Sequence, residues 1–191
     1  MRAVLIDNRD SFTFNLLHLL HEVGAEVSVL RNTVAAGKAV ALAQEQDALI
    51  VLGPGPGGPE EAGSTLGIVR LAKGRVPVFG VCLGHQAIGM EAGGRIERAP
   101  SIVHGKASAL MHDGEGPMRG LPSPFQAGRY HSLCVVGLPG RFRVHAELGG
   151  MPMAISDRRA RQVGVQFHPE SILTEGGARL IRNVLEGCEI H

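Results

Sequence analysis

Near its middle the chain reads Val76-Pro77-Val78-Phe79-Gly80-Val81-Cys82-Leu83-Gly84-His85-Gln86, an apolar run that leads directly into a Gly-x-Cys-x-Gly turn. Residues 76–81 are typical of a short buried strand, and residues 85–92 are typical of a helix that ends at 93–94. A strand, a Gly-x-nucleophile-x-Gly turn and a helix form the layout of a nucleophile elbow, with Cys82 where many hydrolases carry serine.

The residue types of this turn suit a reactive thiol. The turn is sharp, so its flanking positions need residues without a side chain, and Gly80 and Gly84 meet that need. Cys82 would lie at the N-terminus of the following helix, where unpaired N–H groups and the helix dipole favour a thiolate. The next backbone N–H, that of Leu83, would point to the place where an oxyanion forms. The alternative is a buried cysteine in an ordinary strand-to-helix turn, which is the more common situation for a single cysteine.

The composition is that of a soluble globular domain. Of the 191 residues, 44% are hydrophobic and 19% are charged, so we expect one domain spanning residues 1–191 with a full core. The formal net charge of +1 gives no sign of a nucleic-acid or membrane-surface partner. No apolar run approaches the roughly 20 residues of a membrane span, and the N-terminus lacks a signal-peptide pattern, so we expect a cytoplasmic protein. The three cysteines show no metal-ligand spacing and are most simply reduced thiols, and we assign no role to Cys134 or Cys188.

The first half of the chain alternates between strand and helix patterns. Strands are predicted at 3–6, 27–30, 48–52 and 76–81, and helices from an Asp10-Ser11 cap to Gly24 and at 34–46, 66–73 and 85–92. This alternation predicts an α/β fold with a mostly parallel central sheet and helices on both faces. In the second half, strands are predicted at 106–111, 133–136, 141–147, 153–156 and 163–167, before a final helix at 175–186. These shorter strands predict a smaller antiparallel β region.

The segment Phe167-His168-Pro169-Glu170-Ser171 can supply the base that a cysteine nucleophile needs. His168 follows an apolar strand, and the proline after it ends that strand and restricts the backbone. Glu170 lies two residues further on, so in extended geometry it shares a face with His168 and can orient the imidazole. The alternative for a histidine at a strand end is an ordinary hydrogen-bonded side chain. We favour that interpretation for the other histidines of the chain.

A glycine- and proline-rich loop, Gly53-Pro54-Gly55-Pro56-Gly57-Gly58-Pro59, follows the third predicted strand. Its glycines let backbone N–H groups approach a ligand closely. The loop lacks the spacing and the lysine of a phosphate-binding loop, so it does not predict nucleotide binding. Ligands of parallel sheets bind beyond the carboxyl ends of the strands, the edge that this loop shares with the elbow. Gly55 is therefore a candidate for a second oxyanion donor, although an ordinary loop between a strand and a helix is the alternative.

Together the elbow, this loop and the segment 167–171 resemble the class I (triad) glutamine amidotransferases, and the resemblance runs along the whole chain. Three further segments resemble the branch of that family that serves chorismate-using synthases, namely Asp7-Asn8-Arg9-Asp10-Ser11-Phe12-Thr13, His104-Gly105-Lys106 and Arg129-Tyr130-His131-Ser132-Leu133. This branch contains the glutaminase components of anthranilate synthase and of aminodeoxychorismate synthase. The chain departs from the family pattern at Gly53, where serine is usual, and at Arg9, where an aromatic residue is usual.

The resemblance implies a three-layer fold and a catalytic triad of Cys82, His168 and Glu170. It implies that the Cys82 thiolate attacks the side-chain amide of glutamine, while the N–H groups of Leu83 and Gly55 hold the oxyanion. His168 would protonate the departing ammonia and then activate the water that releases glutamate from the thioester, with Glu170 orienting the imidazole. The glutamine pocket implied by the resemblance is lined by Gly55, Pro56, Gly57, Gln86, Ser132 and Leu133.

The resemblance also implies a partner. Ammonia would pass to a chorismate-binding synthase subunit, either anthranilate synthase component I, which is favoured, or aminodeoxychorismate synthase component I. No cofactor and no metal are expected in this chain, since any metal would belong to the partner. Two other functions explain fewer residues. A stand-alone cysteine hydrolase leaves 104–106 and 129–133 unexplained, and a non-catalytic module would not need an intact triad.

Overall fold

The computed structural model describes residues 1–100 and 105–187, which form eleven strands, five α-helices and two short 3-10 helices. The strands are β1 (Arg2–Asp7), β2 (Glu26–Arg31), β3 (Ala48–Leu52), β4 (Val78–Val81), β5 (Arg95–Arg98), β6 (Lys106–His112), β7 (Phe125–Arg129), β8 (Leu133–Val136), β9 (Arg143–Leu148), β10 (Met151–Asp157) and β11 (Gln162–Val165). The α-helices are α1 (Thr13–Glu22), α2 (Ala36–Glu45), α3 (Thr65–Ala72), α4 (Leu83–Glu91) and α5 (Gly177–Leu185), and the 3-10 helices are Pro59–Glu61 and Gly116–Met118. His104 and Cys188 lie outside the described residues. In the ranges that are described, no helix has the length and apolar character needed to cross a membrane.

Nine strands form one sheet in the order β2-β1-β3-β4-β11-β10-β9-β6-β7. The first five strands are parallel neighbours, and the remaining pairings are antiparallel. β5 and β8 form a separate two-stranded antiparallel sheet. The predicted α/β fold is therefore confirmed. The antiparallel strands of the second half continue the main sheet beyond β11 instead of forming a region of their own.

The first strand shows how the core divides between the two faces of the sheet. Ala3 and Leu5 of β1 pack on one face, whereas Val4 and Ile6 pack on the other. This alternation is the period of two expected of a strand that is buried on both sides. α1 and α5 contribute leucines to the first face, and α2, α3 and α4 contribute small and aliphatic side chains to the second. Helices cover both faces, as predicted.

The first helix begins later than its predicted cap. Asp10 Oδ1 accepts a hydrogen bond from the Phe12 N–H at 2.8 Å, which closes a local turn before the helix. α1 then starts at Thr13, with Phe12 in the cap position and no side-chain cap. Gly24 follows the end of the helix with φ +88°, a left-handed conformation that suits glycine. The delayed start leaves Phe12 at the sheet edge that also holds Cys82.

Two strands were missed by the sequence analysis. β5 reads Arg-Ile-Glu-Arg and is mostly exposed, so it lacks the apolar residues by which strands are recognised. β7 contains Gln126 and Gly128 and ends at Arg129, which together disguise a strand that is largely buried. Both strands are held by pairing with distant partners, β8 and β6 respectively.

Candidate active site

Cys82 lies between β4 and α4 with φ 52° and ψ −99°, a strained backbone conformation for a residue other than glycine. Its N–H donates to the Val165 carbonyl at 2.9 Å, which ties the turn to the end of β11. A side chain at Gly80 would collide with the backbone of Gly84, and one at Gly84 would collide with the Leu52 carbonyl. Both positions therefore require glycine, which agrees with the nucleophile elbow predicted from the sequence.

The structure brings Cys82, His168 and Glu170 together. The His168 Nδ1 atom lies 2.7 Å from Glu170 Oε1, and the Glu170 side chain is fully buried. The imidazole also forms a hydrogen bond with the Cys82 side chain. Burial alone would lower the pKa of His168, but the hydrogen bonds and charges of Cys82 and Glu170 outweigh it and raise that pKa to about 10. The arrangement thus favours an imidazolium beside a thiolate.

The backbone around His168 is held at several points. Its N–H donates to the Gly128 carbonyl at 3.0 Å, and its carbonyl accepts a hydrogen bond from the Thr174 hydroxyl at 2.6 Å. The Gly128 N–H in turn donates to Thr174 Oγ1 at 2.9 Å. A side chain on Gly128 would lie 2.8 Å from Ser171 Oγ, so the two segments approach closely. These contacts fix the imidazole in position as a rigidly held base requires.

Two aromatic rings surround the imidazole. The ring centroids of Phe12 and Tyr130 lie 5.1 and 5.0 Å from that of His168, and 4.8 Å from each other. The Tyr130 hydroxyl lies 3.1 Å from Ser171 Oγ. The helical spacing in the sequence groups Phe12 with the apolar face of α1 and does not predict its position beside the base. Rings at this distance favour a cationic imidazole and exclude water from it.

A cavity of about 210 Å³ opens beside the Cys82 sulfur. Its walls are Gly55, Pro56, Gly57, Cys82, Gln86, Tyr130, His131, Ser132 and Leu133. All six residues that the resemblance implied for a glutamine pocket are among them. Tyr130 and His131 are additional wall residues that the sequence analysis did not assign to the pocket. Its walls include residues of the Gly/Pro loop, the elbow helix and the segment before β8, so three separate parts of the chain meet at the carboxyl edge of the sheet.

The Gly/Pro loop is held against the elbow by Asn8. The Asn8 amide donates to the Gly53 carbonyl at 2.9 Å and accepts from the Thr65 hydroxyl at 2.8 Å. A side chain on Gly55 would lie 2.7 Å from Asn8 Cβ and 3.2 Å from Leu83 Cδ1, so Gly55 must be glycine. The two predicted oxyanion donors, Gly55 and Leu83, are thus neighbours. Among the described residues, neither N–H donates to a backbone carbonyl.

The two departures from the family pattern have different surroundings. A side chain at Gly53 would lie 2.9 Å from the Ile6 carbonyl oxygen, so serine at this position would require the two strands to shift. Arg9 has φ 63°, its N–H donates to Asp7 Oδ1 at 2.8 Å, and its side chain is exposed. Neither departure touches the triad.

His131 has a structural task beside the cavity, which the sequence analysis did not recognise. Arg129 donates from Nε to His131 Nε2 at 3.1 Å, so the opposite nitrogen carries the hydrogen and donates to the Leu133 carbonyl at 2.9 Å. Burial, together with the charges of Arg129 and His168, lowers the pKa of His131 to about 4. His131 is therefore a neutral side chain that fixes a carbonyl in the pocket wall. The signal in the sequence was its place within the segment 129–133.

The remaining buried candidates do not join the site. His85 is fully buried against Gly164, and burial lowers its pKa to about 4, so it is a neutral core histidine. Burial and the nearby Glu97 carboxylate raise the pKa of the Cys134 thiol, which makes it unreactive. In the described part of the chain, no cluster of three or more histidine, cysteine, aspartate or glutamate side chains could hold a metal ion.

Comparison with known proteins points in one direction. The family model for class I glutamine amidotransferases matches residues 4–188. Anthranilate synthase component 2, pyocyanine specific, from Pseudomonas aeruginosa is 47% identical over 98% of this chain and 94% of its own length. Anthranilate synthase component 2 from Azospirillum brasilense is 49% identical over 95% and 94%, and that from Mycobacterium tuberculosis is 46% identical over 98% and 83%.

A solved structure shares the fold. A GMP synthase protein from Thermoplasma acidophilum superposes with a TM-score of 0.86 over 98% of this chain and 94% of the other. Its sequence identity is 22%, so this likeness concerns the fold alone. The match of a family model over nearly the whole chain, together with relatives at almost half identity, leads to one conclusion: the chain belongs to the class I glutamine amidotransferases.

Proposed function

We propose that this chain is the glutaminase subunit of an anthranilate synthase, and that it supplies ammonia for tryptophan biosynthesis in the cytoplasm. The observation that carries the proposal is the buried Cys82–His168–Glu170 constellation beside a cavity of about 210 Å³. The names of relatives that match at 46–49% identity support this branch of the family. The proposed roles of the individual residues follow from their geometry.

The first half of the reaction uses the thiolate and the imidazolium. The Cys82 thiolate attacks the side-chain carbonyl carbon of glutamine, and the carbonyl oxygen takes up the negative charge. The N–H groups of Leu83 and Gly55 face this oxygen and stabilise it. His168, whose raised pKa keeps it protonated, donates its proton to the leaving nitrogen. Ammonia departs, and a thioester of Cys82 remains.

The second half of the reaction needs His168 as a base. In the thioester the sulfur carries no charge, so the largest contribution that raises the pKa of His168 is lost. The imidazole, now neutral, can accept a proton from water, which attacks the thioester. Glutamate leaves and the thiolate returns, which restores the raised pKa. Glu170 holds the imidazole in one orientation through both steps, since its 2.7 Å contact involves the nitrogen that faces away from the sulfur.

Glutamine binding is proposed for the cavity walls. Gln86, Ser132 and Leu133 line one side, and Gly55, Pro56 and Gly57 line the other. The Gln86 amide nitrogen already donates to the Leu133 carbonyl at 3.1 Å, which leaves the Gln86 oxygen as the acceptor for a substrate N–H group. The ammonia then passes, unprotonated, to a separate subunit that binds chorismate. No cofactor or metal is proposed for this chain.

The proposal is tested by reconstitution with an anthranilate synthase large subunit. The mixture should form anthranilate from chorismate and glutamine, and Cys82→Ser should abolish this activity while leaving activity with ammonium salts intact. His168→Ala should reduce glutamine-dependent turnover on the order of 10²-fold or more. Glutamine use by the Cys82→Ser complex would refute the nucleophile. Formation of aminodeoxychorismate with the corresponding large subunit, in place of anthranilate, would transfer the chain to the folate branch.

A further inference from the structure

Gln166 lies directly after β11 and two residues before His168, and its side chain is fully buried. Side chains alternate along extended backbone, so Gln166, His168 and Glu170 form an i, i+2, i+4 series on the side of the sheet edge that faces Cys82. Phe167 between them points into the core, where its ring lies 5.5 Å from that of Phe125. The triad thus has a fourth side chain in its own series.

The Gln166 amide contacts the nucleophile. Its Nε2 atom lies 3.6 Å from Cys82 Sγ, within the range of a hydrogen bond to sulfur. The Cys82 N–H donates to the Val165 carbonyl at 2.9 Å, and the Gln166 N–H donates to the Met153 carbonyl at 2.9 Å. The backbones on both sides of the contact are therefore fixed, and the amide is held against the sulfur.

The hydrogen-bond network decides which end of the amide faces the sulfur. A carbonyl oxygen only accepts, so the Gln86 atom 3.1 Å from the Leu133 carbonyl must be the amide nitrogen. The same nitrogen lies 3.2 Å from the Gln166 side chain, so the Gln166 atom that faces it must be the oxygen. The Gln166 nitrogen is left to point at Cys82 Sγ, and it does so as a donor.

The chain of donors begins further away. Arg129 donates to His131, and His131 donates to the Leu133 carbonyl that also accepts from Gln86. Each amide orientation is therefore set by the group before it, and the sequence of bonds runs from a guanidinium to the sulfur through the wall of the cavity. An orientation fixed in this way needs no rearrangement when charge develops on the sulfur.

We propose that Gln166 is a catalytic residue, which donates a hydrogen bond to the Cys82 thiolate and so stabilises the nucleophile before attack and as the leaving group of the thioester. In the thioester the sulfur is uncharged, and the bond is weak. When water expels the sulfur, the electron pair of the C–S bond returns to it, and the N–H of Gln166 again faces an anion. This assignment rests on the proposed role of Cys82 as the nucleophile.

The test is the pH dependence of Cys82 alkylation by iodoacetamide in the purified chain, with the modified residue identified by peptide mass spectrometry. Gln166→Met keeps an unbranched side chain of similar length but has no N–H donor. Its alkylation profile should move to higher pH by about one to two units, which is roughly a 10- to 100-fold slower reaction on the acidic side. Gln166→Leu, which also lacks the donor, should show the same displacement and carries the test if the methionine variant does not fold.

Gln162→Met is the matched control. Gln162 is a buried glutamine at the opposite end of β11, where its amide donates to the Val69 carbonyl at 3.4 Å. Its variant should alkylate like the wild type, since it lies away from the sulfur. Wild-type profiles for both folded Gln166 variants would overturn the proposed role of Gln166. A wild-type Cys82 that reacts no faster than Cys134 at neutral pH would instead overturn the nucleophile itself, and the Gln166 assignment with it.

Discussion

Replacement of Glu170 by glutamine isolates the contribution of its negative charge. The carboxylate is fully buried and lies 2.7 Å from His168 Nδ1, so its charge is not screened by solvent. Glutamine has the same shape, and its amide oxygen can still accept the hydrogen bond. The substitution therefore keeps the orientation of the imidazole and removes the charge that stabilises its protonated form.

The expected magnitude follows from the kind of bond that is lost. A hydrogen bond between charged groups is worth about 1.5–3 kcal/mol, compared with about 1 kcal/mol for a neutral one. A loss of roughly 1–2 kcal/mol corresponds to a decrease of about one pKa unit in His168 and to roughly 10-fold slower glutamine turnover. The Cys82 sulfur raises the pKa of His168 more than Glu170 does, so that pKa should stay above its usual 6.5.

Two measurements check this reasoning. NMR titration of the His168 imidazole gives the pKa in the free chain, and steady-state assays with the synthase partner give the rate with glutamine. Glu175→Gln is the control, because Glu175 is exposed and only five residues further along the chain. A Glu170→Gln variant with an unchanged His168 pKa and near wild-type turnover would show that Glu170 acts only through orientation. A loss as complete as that in Cys82→Ser would show that it does more than the contact explains.

Two further predictions concern stability. Gly84→Ala should lower the free energy of unfolding by about 1–3 kcal/mol in urea denaturation, because the new methyl group would collide with Leu52, whereas Gly37→Ala, with open space around it in α2, should be neutral or stabilising; equal effects would contradict the elbow packing. Because the pKa of His168 is raised from 6.5 to about 10, the stability that its protonation supplies is fully present below pH 6.5 and is lost as the pH rises through 10. The free energy of unfolding should therefore decline across this window, and the decline should be smaller in His168→Gln; identical slopes would show that His168 is not the group responsible.

Local patterns were sufficient to predict the parallel half of the fold and the place of the triad. Strands buried on both faces read as continuous apolar runs, and β3 was predicted with its observed bounds, Ala48–Leu52. Cys82, His168 and Glu170 were found because their neighbours, glycines and a proline, have few other uses in that order. Such signals lie within a few residues of each other, which is why one sequence reveals them.

Contacts between distant segments could not be predicted in this way. β7 is identified by its pairing with β6, and the meeting of Phe12 with His168 depends on where α1 begins relative to β11. Gln166 stands inside a run that was interpreted as strand, and nothing in that run distinguishes a glutamine that faces a nucleophile from one that pairs with backbone. Polar residues within buried strands are where such functional contacts remain hidden.

The register between β4 and β11 determines whether the nucleophile and its base meet. These parallel strands pair Val81 with Val165, so the residues that follow, Cys82 and Gln166, leave the sheet side by side. A slip of one residue would turn the side chains of β11 and its extension to the opposite face, and His168 would point into the core in place of Phe167. The buried side chains on both faces of β4 and β11 oppose such a slip. The core packing of these two strands is therefore also what holds the catalytic distance, whereas the Gly/Pro loop depends mainly on Asn8 for its position.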